Sequence, residues 1–301
     1  MLGEHSQPTD SARGPDAVVS DLVQMARTTA DRVAALDPDA RIVGVGVGAP
    51  GPLDTERGVV LETPNLVWRD MPLRDRLAVA LEMPAVLDND ANCAVLGECW
   101  VGAGRGARQA IGMTIGTGIG GGLVLDGRLY HGAANSAGEI GHMTIDVDGR
   151  RCGCGNYGCL EAYASGPAIA MRAVEQLRAG MESRLSAMSG GNMDAITAQT
   201  VFEAARAEDE VALEVVRDTA QYLGVGLANL LNIFNPELVV IMGGVTQAGD
   251  ALFEPLRREV TRRAFRSAVD SCRIVPGTLA GLAGVYGAAK VFLDRPLAGG
   301  C

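Results

Sequence analysis

Residues 138–161 read GEIGHMTIDVDGRRCGCGNYGCLE, a stretch that brings one histidine and three cysteines close together. Three thiolates and one imidazole complete a tetrahedral zinc site with no open position, which is the pattern of a structural zinc. The glycines between the cysteines allow a short loop to fold back on itself. We therefore predict a structural zinc site at His142, Cys152, Cys154 and Cys159. The alternative is that the cysteines are free and pack as small apolar side chains.

Glu139, His142 and Glu161 lie beside this cysteine loop. Carboxylates and an imidazole can form paired hydrogen bonds with neighbouring hydroxyl groups of a sugar. As isolated residues they would be interpreted as two surface carboxylates and a histidine with satisfied hydrogen bonds. Their position beside a rigid loop favours a role in binding a ligand.

Asp90 lies further toward the N-terminus, in the stretch Leu-Asp-Asn-Asp-Ala-Asn that follows a predicted strand. A carboxylate at a strand end can face a cleft and accept a proton from a substrate hydroxyl. Acidic and amide residues before a helix are also common N-caps, so Asp90 or Asn89 could cap the helix that begins near Ala91. The sequence leaves both interpretations open at this point.

Two glycine-rich segments are candidates for contacts with phosphate groups. Residues 114–122 read TIGTGIGGG, which offers several unhindered backbone N–H groups and a hydroxyl between two predicted strands. Gly243 and Gly244 follow another buried strand. Segment 114–122 has neither the lysine of a P-loop nor the helix that a dinucleotide fingerprint requires after it. Either segment could instead be a tight turn.

The pattern of apolar residues predicts alternating strands and helices, hence an α/β fold of two lobes. The small lobe is expected at residues 1–94, with a C-terminal helix at about residues 286–301 packed on it, and the large lobe at residues 95–285. Helices are predicted at residues 15–36, 91–100 and 211–232 and from about 281, and strands at 41–48, 84–87, 110–115, 121–125 and 238–242. Asp126-Gly127 is a hairpin signal.

Composition narrows the classes of function. The chain has 301 residues and a formal net charge of −10, which disfavours a nucleic-acid partner. No apolar run is long enough to cross a membrane, and residues 1–14 lack the apolar core of a signal peptide. We therefore expect a cytoplasmic protein without a membrane partner, in which seven cysteines stay reduced instead of forming a disulfide framework.

Four motifs together resemble the ROK family of bacterial sugar kinases and sugar-responsive repressors. They are Cys-x-Cys-Gly-x-x-Gly-Cys-x-Glu at residues 152–161, Gly-Glu-Ile-Gly-His at 138–142, Asn-Asp-Ala-Asn at 89–92 and Gly-Thr-Gly-x-Gly-Gly-Gly at 116–122. The resemblance implies an actin-like, hexokinase-like ATPase fold with the sugar in the cleft and ATP mostly on the larger lobe. It implies ATP-dependent phosphorylation of a hexose, with glucose as the first expected substrate, and ATP, Mg²⁺ and a structural Zn²⁺ as bound groups.

The resemblance also implies individual roles. Asp90 matches the catalytic base, which takes the proton of the sugar hydroxyl. His142 would serve twice, with one ring nitrogen on zinc and the other on a sugar hydroxyl. The positions that match sugar-binding residues are Gly51, Asn65, Asn89, Asp90, Glu139, His142 and Glu161. The positions that match the loops around ATP are Gly116, Thr117, Gly118, Gly243 and Gly244.

The N-terminal part departs from the family pattern. Family members begin with a three-stranded meander that carries an Asp-x-Gly-Gly-Thr phosphate motif, whereas this chain reaches its first predicted helix at Pro15 without such a motif. The expectation is therefore an exposed sheet edge at the strand 41–48, together with either a start upstream of Met1 or impaired catalysis. The alternatives to a kinase are a catalytically impaired sugar-binding protein or a sugar-responsive regulator without its DNA-binding domain. The resemblance also implies a homo-oligomer, either a dimer or a tetramer.

Overall fold

The computed structural model describes residues 1–63 and 66–295, and this part of the chain contains both helices and strands. The helices are α1 (Pro15–Leu36), α2 (Leu73–Leu81), α3 (Asp90–Val101), α4 (Glu161–Ala164), α5 (Gly166–Arg178), α6 (Arg184–Met188), α7 (Ala198–Arg206), α8 (Glu210–Phe234), α9 (Asp250–Arg263), α10 (Arg266–Ser271) and α11 (Ala283–Asp294). The strands are β1 (Val45–Ala49), β2 (Leu53–Asp54), β3 (Val59–Thr63), β4 (Trp68–Met71), β5 (Ala85–Asn89), β6 (Ala110–Ile115), β7 (Ile119–Leu125), β8 (Arg128–Leu129), β9 (Leu238–Met242) and β10 (Arg273–Pro276).

The chain divides into two compact units. The first comprises Met1–Gly97, His131–Ala137 and the chain from Ala283, and the second comprises Glu98–Tyr130 and Gly138–Leu282. The first unit therefore takes its residues from three separate parts of the sequence. No helix in the described ranges combines the length and the apolar character that a membrane span requires.

The first unit contains a two-stranded parallel sheet, β1 with β5, and a three-stranded antiparallel sheet in the order β2-β3-β4. Helix α1 has the predicted bounds, and its residues Val18, Val19 and Val23 pack into the core of this unit. The sequence analysis missed the second sheet because two of its strands have only two and four residues, too few for a period-two pattern.

Strand β1 is shorter than predicted. Pairing starts at Val45 opposite Ala85, and the preceding residue of the partner strand is Pro84, which has no N–H to donate. Ile42 and Val43 therefore lie outside the strand and are exposed. Within residues 1–63 and 66–295, β1 has β5 as its single strand partner.

Helix α11 packs closely on β1 and on α3 because glycines allow the backbones to meet. A Cβ on Gly46 would overlap the carbonyl group of Ala288, and a Cβ on Gly287 would overlap that of Cys93. Alanine at either position would push the elements apart. The C-terminal part of the predicted helix at 286–301 extends past residue 295 and lies outside the described residues.

The second unit is built on a five-stranded sheet in the order β10-β9-β6-β7-β8. Strands β6, β9 and β10 are parallel, whereas β6, β7 and β8 form antiparallel hairpins. Strand β9 is fully buried, and α8 packs a long apolar face into the core of this unit. Asp126 and Gly127 both have left-handed φ angles, 53° and 80°, as the predicted hairpin turn requires.

The two glycine-rich segments lie next to each other, where the neighbouring strands β6 and β9 end. Strand β7 begins at Ile119, two residues earlier than predicted, so that Gly116, Thr117 and Gly118 alone form the turn after β6. Strand β9 runs parallel beside β6, which brings Gly243 next to the end of β6. A Cβ on Gly243 would overlap the Ile115 carbonyl group, so this approach requires glycine.

Candidate active site

Asp90 begins helix α3 directly after strand β5. The N–H of Ala91 donates to its Oδ1 at 2.8 Å. Although the residue is accessible to solvent, surrounding protein atoms desolvate its carboxyl group and raise its pKa above the ordinary value of 3.8, while the Ala91 N–H acts in the opposite direction. A carboxyl group with a raised pKa is a better proton acceptor near neutral pH.

Asn89 forms the cap of α3. Its Oδ1 accepts the N–H groups of Ala91 at 2.9 Å and Asn92 at 3.1 Å. The capping role that the sequence analysis left open between Asn89 and Asp90 thus falls mainly on Asn89, since it satisfies two orphan donors of the helix. Asn89 still lies directly before Asp90 in the chain.

Gly51 has a φ of 89°, and a Cβ there would overlap the carbonyl group of Glu62. The turn after β1 therefore requires glycine for its own backbone. Asn65 lies outside the described residues.

The four predicted zinc ligands converge in the second unit. Their ligand atoms all lie within 4.8 Å of one another, with 3.7 Å between the Sγ atoms of Cys154 and Cys159 and 3.7 Å between Cys152 Sγ and His142 Nδ1. Tetrahedral coordination with Zn–S near 2.3 Å and Zn–N near 2.0 Å separates neighbouring ligand atoms by about 3.6–3.8 Å. The residues therefore fit a four-coordinate zinc ion. The 3.7 Å separation is too long for a disulfide bond.

Backbone bonds shape the cysteine loop. The N–H of Cys152 donates to the carbonyl oxygen of Asn156 at 2.8 Å, and the N–H of Gly155 donates back to the carbonyl oxygen of Cys152 at 3.0 Å. Gly155 has a φ of 94°, which a residue with a side chain rarely adopts. This tight turn directs the sulfur atoms toward one point.

His142 and Glu139 share a single turn beside the cysteine loop. The Nε2 of His142 lies 4.0 Å from Glu139 Oε2, while its Nδ1 faces Cys152. The two ring nitrogens thus have different surroundings, as a histidine bound to both a metal and a ligand would need. Glu139 is 56% exposed and is free to meet a ligand.

Glu161 joins the cysteine loop to the glycine turn after β6. Its Oε1 lies 3.7 Å from Cys152 Sγ, and its Oε2 accepts the N–H of Ile119 at 2.8 Å. The sequence analysis assigned Glu161 to sugar binding alone. Its contact with the glycine turn was not predicted, because 42 residues separate the two partners.

The glycine turn after β6 borders a cavity of about 170 Å³. The N–H of Gly116 donates to the carbonyl oxygen of Gly118 at 2.9 Å, and the N–H of Gly166 donates to the carbonyl oxygen of Gly116 at 2.8 Å. Gly116 and Thr117 are exposed. The lining combines glycines and glutamines with apolar side chains: Ile115, Gly116, Gly166, Ile169, Ala198, Gln199, Phe202, Gly244, Val245 and Gln247. Such a cavity can hold a flat apolar ring with polar groups at its rim.

The sequence analysis missed a second carboxylate near Asp90. Asp88 is 4% exposed and forms an ion pair with His131, whose Nε2 lies 2.8 Å from its Oδ2. Nothing in the local sequence marks this pair, since 43 residues separate the partners.

The predicted site residues are divided between the two units. Gly51, Asn89 and Asp90 lie in the first unit, and the other described ones lie in the second.

Comparison with known proteins supports the predicted family. A model of the ROK family matches residues 8–295. The chain is 44% identical over 247 residues to a glucokinase from Halalkalibacterium halodurans, an alignment that covers 82% of this chain and 74% of that protein. It is 36% identical over 256 residues to a xylose repressor from Caldicellulosiruptor bescii, which covers 85% of this chain and 64% of the repressor.

Among solved structures, the chain is similar to a ROK family glucokinase from Streptomyces griseus in complex with glucose and AMPPNP. The TM-score is 0.80 at 34% sequence identity, and the match covers 92% of this chain and 87% of that one. The predicted actin-like α/β ATPase fold is confirmed by this similarity. The match to the family extends over nearly the whole chain, and the chain therefore belongs to the ROK family.

Proposed function

We propose that the protein catalyses ATP-dependent phosphorylation of a hexose, with glucose converted to glucose 6-phosphate as the first candidate reaction. The observation that carries this proposal is the 44% identity, over 82% of the chain, to a protein named glucokinase. The similar Streptomyces griseus enzyme has glucose and an ATP analogue bound, which supports the same pair of substrates here.

Asp90 is the proposed general base. Its carboxylate takes the proton of the sugar hydroxyl while that oxygen attacks the γ-phosphorus of ATP. The bond between the γ-phosphorus and the β,γ-bridging oxygen breaks, and ADP leaves with the bonding electrons. The raised pKa of Asp90, caused by desolvation, suits this role.

The glycine turns of the second unit are proposed to hold the phosphoryl donor, the Mg²⁺ complex of ATP. Gly116 and Thr117 are exposed, and the backbone N–H and hydroxyl of Thr117 can bind phosphate oxygens. The adjoining cavity offers Ile169 and Phe202 as apolar walls for the adenine ring, with Gly244 at its edge. Because phosphoryl transfer depends on positioning and on neutralising charge, these groups would contribute through geometry more than through chemistry of their own.

Polar side chains near the cysteine loop are proposed to bind the hexose, together with Gly51, Asn65 and Asn89. Glu139, His142 and Glu161 can form hydrogen bonds with adjacent sugar hydroxyls. Zinc bound by His142, Cys152, Cys154 and Cys159 would be four-coordinate, so it would hold this loop in shape instead of polarising the substrate. Its removal should therefore loosen Glu161 and His142 together.

Because the chain is also similar to xylose repressors, a sugar-binding function without catalysis is the second candidate. The chain spans 64% of the length of the Caldicellulosiruptor bescii repressor. A sugar-binding regulator or an impaired kinase would bind hexose without turning over ATP. Cytoplasmic location remains a prediction from the sequence, and a homo-oligomeric state remains an expectation from the family resemblance.

The test is a panel of glucose, mannose, fructose, N-acetylmannosamine and N-acetylglucosamine, each incubated with ATP and Mg²⁺, with ADP release and the sugar phosphate both measured. We expect the highest kcat/KM with glucose. Zinc-loaded, folded protein that binds glucose but forms no phosphate ester would refute the kinase proposal and favour the binding function.

A further inference from the structure

Asp88 is a buried carboxylate that the proposed mechanism does not use. It lies at the end of β5, two residues before Asp90, with 4% of its side chain exposed. Its Oδ1 accepts the N–H of Asn89 at 2.7 Å and the Nδ2 of Asn92 at 3.1 Å, and its Oδ2 lies 2.8 Å from the Nε2 of His131. Both carboxylate oxygens are thus engaged.

His131 supplies the positive charge that this carboxylate needs. A buried ionised carboxylate is costly unless it is paired and hydrogen-bonded. Within residues 1–63 and 66–295, His131 is the single ion-pair partner of Asp88. The hydrogen bond to Asp88 raises the pKa of His131 above its ordinary value of 6.5, although partial burial opposes this, so the pair favours the imidazolium.

The Asp88–His131 pair fixes residues that precede and follow Asp90 in the chain. Asn92 has a buried Oδ1 without a hydrogen-bond partner, so its amide orientation depends on the bond from its Nδ2 to Asp88. Asn89 is held through its backbone N–H by the same carboxylate, and its Oδ1 caps the helix that Asp90 begins. Loss of Asp88 or of its charge partner would therefore free the residue before Asp90 and the first turn after it.

The segment that carries His131 is itself attached to the first unit. The N–H of Ala137 donates to the carbonyl oxygen of His131 at 3.1 Å, and the hydroxyl of Thr55 donates to Asn135 Oδ1 at 2.9 Å. The segment His131–Ala137 therefore has a second attachment point besides the imidazole. This support makes His131 a fixed partner for Asp88 and not a mobile surface side chain.

We propose that Asp88 and His131 are positioning residues that hold the Asn89–Asp90 turn in its productive geometry, an inference that rests on the proposed function of this turn in hexose binding and proton transfer. Neither residue touches the reacting atoms in this scheme. Displacement of a catalytic group by about 1 Å can lower the rate by about 100-fold.

The test compares four variants with the wild-type chain. Asp88→Asn and His131→Ala remove the charge pair, His131→Gln keeps a hydrogen-bond donor without the charge, and His5→Gln is the matched control at a histidine outside this cluster. Glucose phosphorylation is measured with KM for glucose, KM for ATP and kcat resolved, and a thermal melt shows that each variant is folded at the assay temperature.

We expect kcat to fall by about 10- to 100-fold in Asp88→Asn and His131→Ala, to fall less in His131→Gln, and to stay unchanged in His5→Gln. The KM for ATP should stay within about twofold of the wild-type value in all four variants. Unchanged kcat in the folded variants would overturn the proposal. Should Asp88→Asn fail to fold, the two His131 variants decide the outcome by themselves.

Glucose affinity separates failure of this proposal from failure of the proposed function. If the wild-type chain does not turn over ATP, the kinase proposal is refuted, and calorimetric titration with glucose then tests the turn directly. Weaker glucose binding in Asp88→Asn and His131→Ala, by about 10-fold, would support the positioning role. Equal affinity in wild type and variants would overturn it.

Discussion

The substitution Gly118→Ala tests the contact between the glycine turn and the cysteine loop. A Cβ on Gly118 would lie 2.5 Å from Oε2 of Glu161 and 3.5 Å from its Cδ. Side-chain carbons essentially never come so close to another heavy atom, and the Glu161 carboxylate is the flexible partner. We therefore expect the carboxylate to move away and to release the N–H of Ile119, which it now accepts at 2.8 Å.

The magnitude follows from the bond that is lost. A hydrogen bond to a charged group contributes about 1.5–3 kcal/mol. Because about 1.4 kcal/mol corresponds to a factor of ten, the opening of the Ile119 amide should become about 10- to 100-fold more favourable. Gly118→Ala should also bind an ATP analogue more weakly than the wild type, since the turn that is proposed to bind the phosphates is less ordered.

Hydrogen exchange at the Ile119 amide is the direct assay, with Gly116→Ala as the matched control. A Cβ on Gly116 meets no atom within 4 Å, so this variant should leave exchange at Ile119 unchanged. Faster exchange in Gly118→Ala alone is the expected result. Equal exchange rates in Gly118→Ala, Gly116→Ala and wild type would show that Glu161 does not hold the turn.

Three further predictions concern the metal, the core and pH. Elemental analysis should find about one zinc per chain in the wild type and in Cys272→Ser, whereas Cys154→Ser should lose zinc and melt at a lower temperature; zinc-free wild-type protein would contradict the assignment. Glu98 is fully buried and accepts two backbone N–H groups at 2.8 Å each, so Glu98→Ala should lower the free energy of unfolding by about 2–6 kcal/mol in denaturant titration, and a loss below about 1 kcal/mol would contradict this role. Burial raises the pKa of Asp209, but hydrogen bonds from two backbone N–H groups and a hydroxyl outweigh it and lower the pKa below its ordinary value of 3.8. A lowered pKa means that this stabilisation is complete above about pH 4 and is lost as the pH falls below it. Asp209→Asn should therefore have a lower free energy of unfolding than the wild type at pH 7, and the difference between the two should narrow toward pH 3. A difference that does not depend on pH would contradict the account.

Regular local patterns made much of the fold predictable. The helical spacing of apolar residues defined α1, an unbroken apolar run defined β9, and a mostly apolar run defined β6. The sheet β2-β3-β4 was missed because two of its strands, β2 and β4, are too brief to show alternation. Strand β1 begins later than predicted because Pro84 ends the ladder on the partner strand.

Motif spacing likewise predicted the cysteine cluster, since its four predicted ligands lie within one short stretch and their side chains converge. The contacts of Glu161 with Ile119 and of His131 with Asp88 join residues that are 42 and 43 positions apart. Such pairs depend on how distant elements pack, and no local pattern in one sequence encodes them. For the same reason the sequence showed the residues of the glycine turns but not the cavity beside them.

The role of Asp90 is the central claim, and the comparison of Asp90→Asn with wild type tests it most directly. Asparagine is nearly the same size but cannot accept the proton of the sugar hydroxyl. With glucose, ATP and Mg²⁺ saturating, kcat of Asp90→Asn should be lower by about 10²- to 10⁴-fold, while the dissociation constant for glucose stays within a few-fold of the wild-type value. Equal kcat in the variant and the wild type would contradict the account.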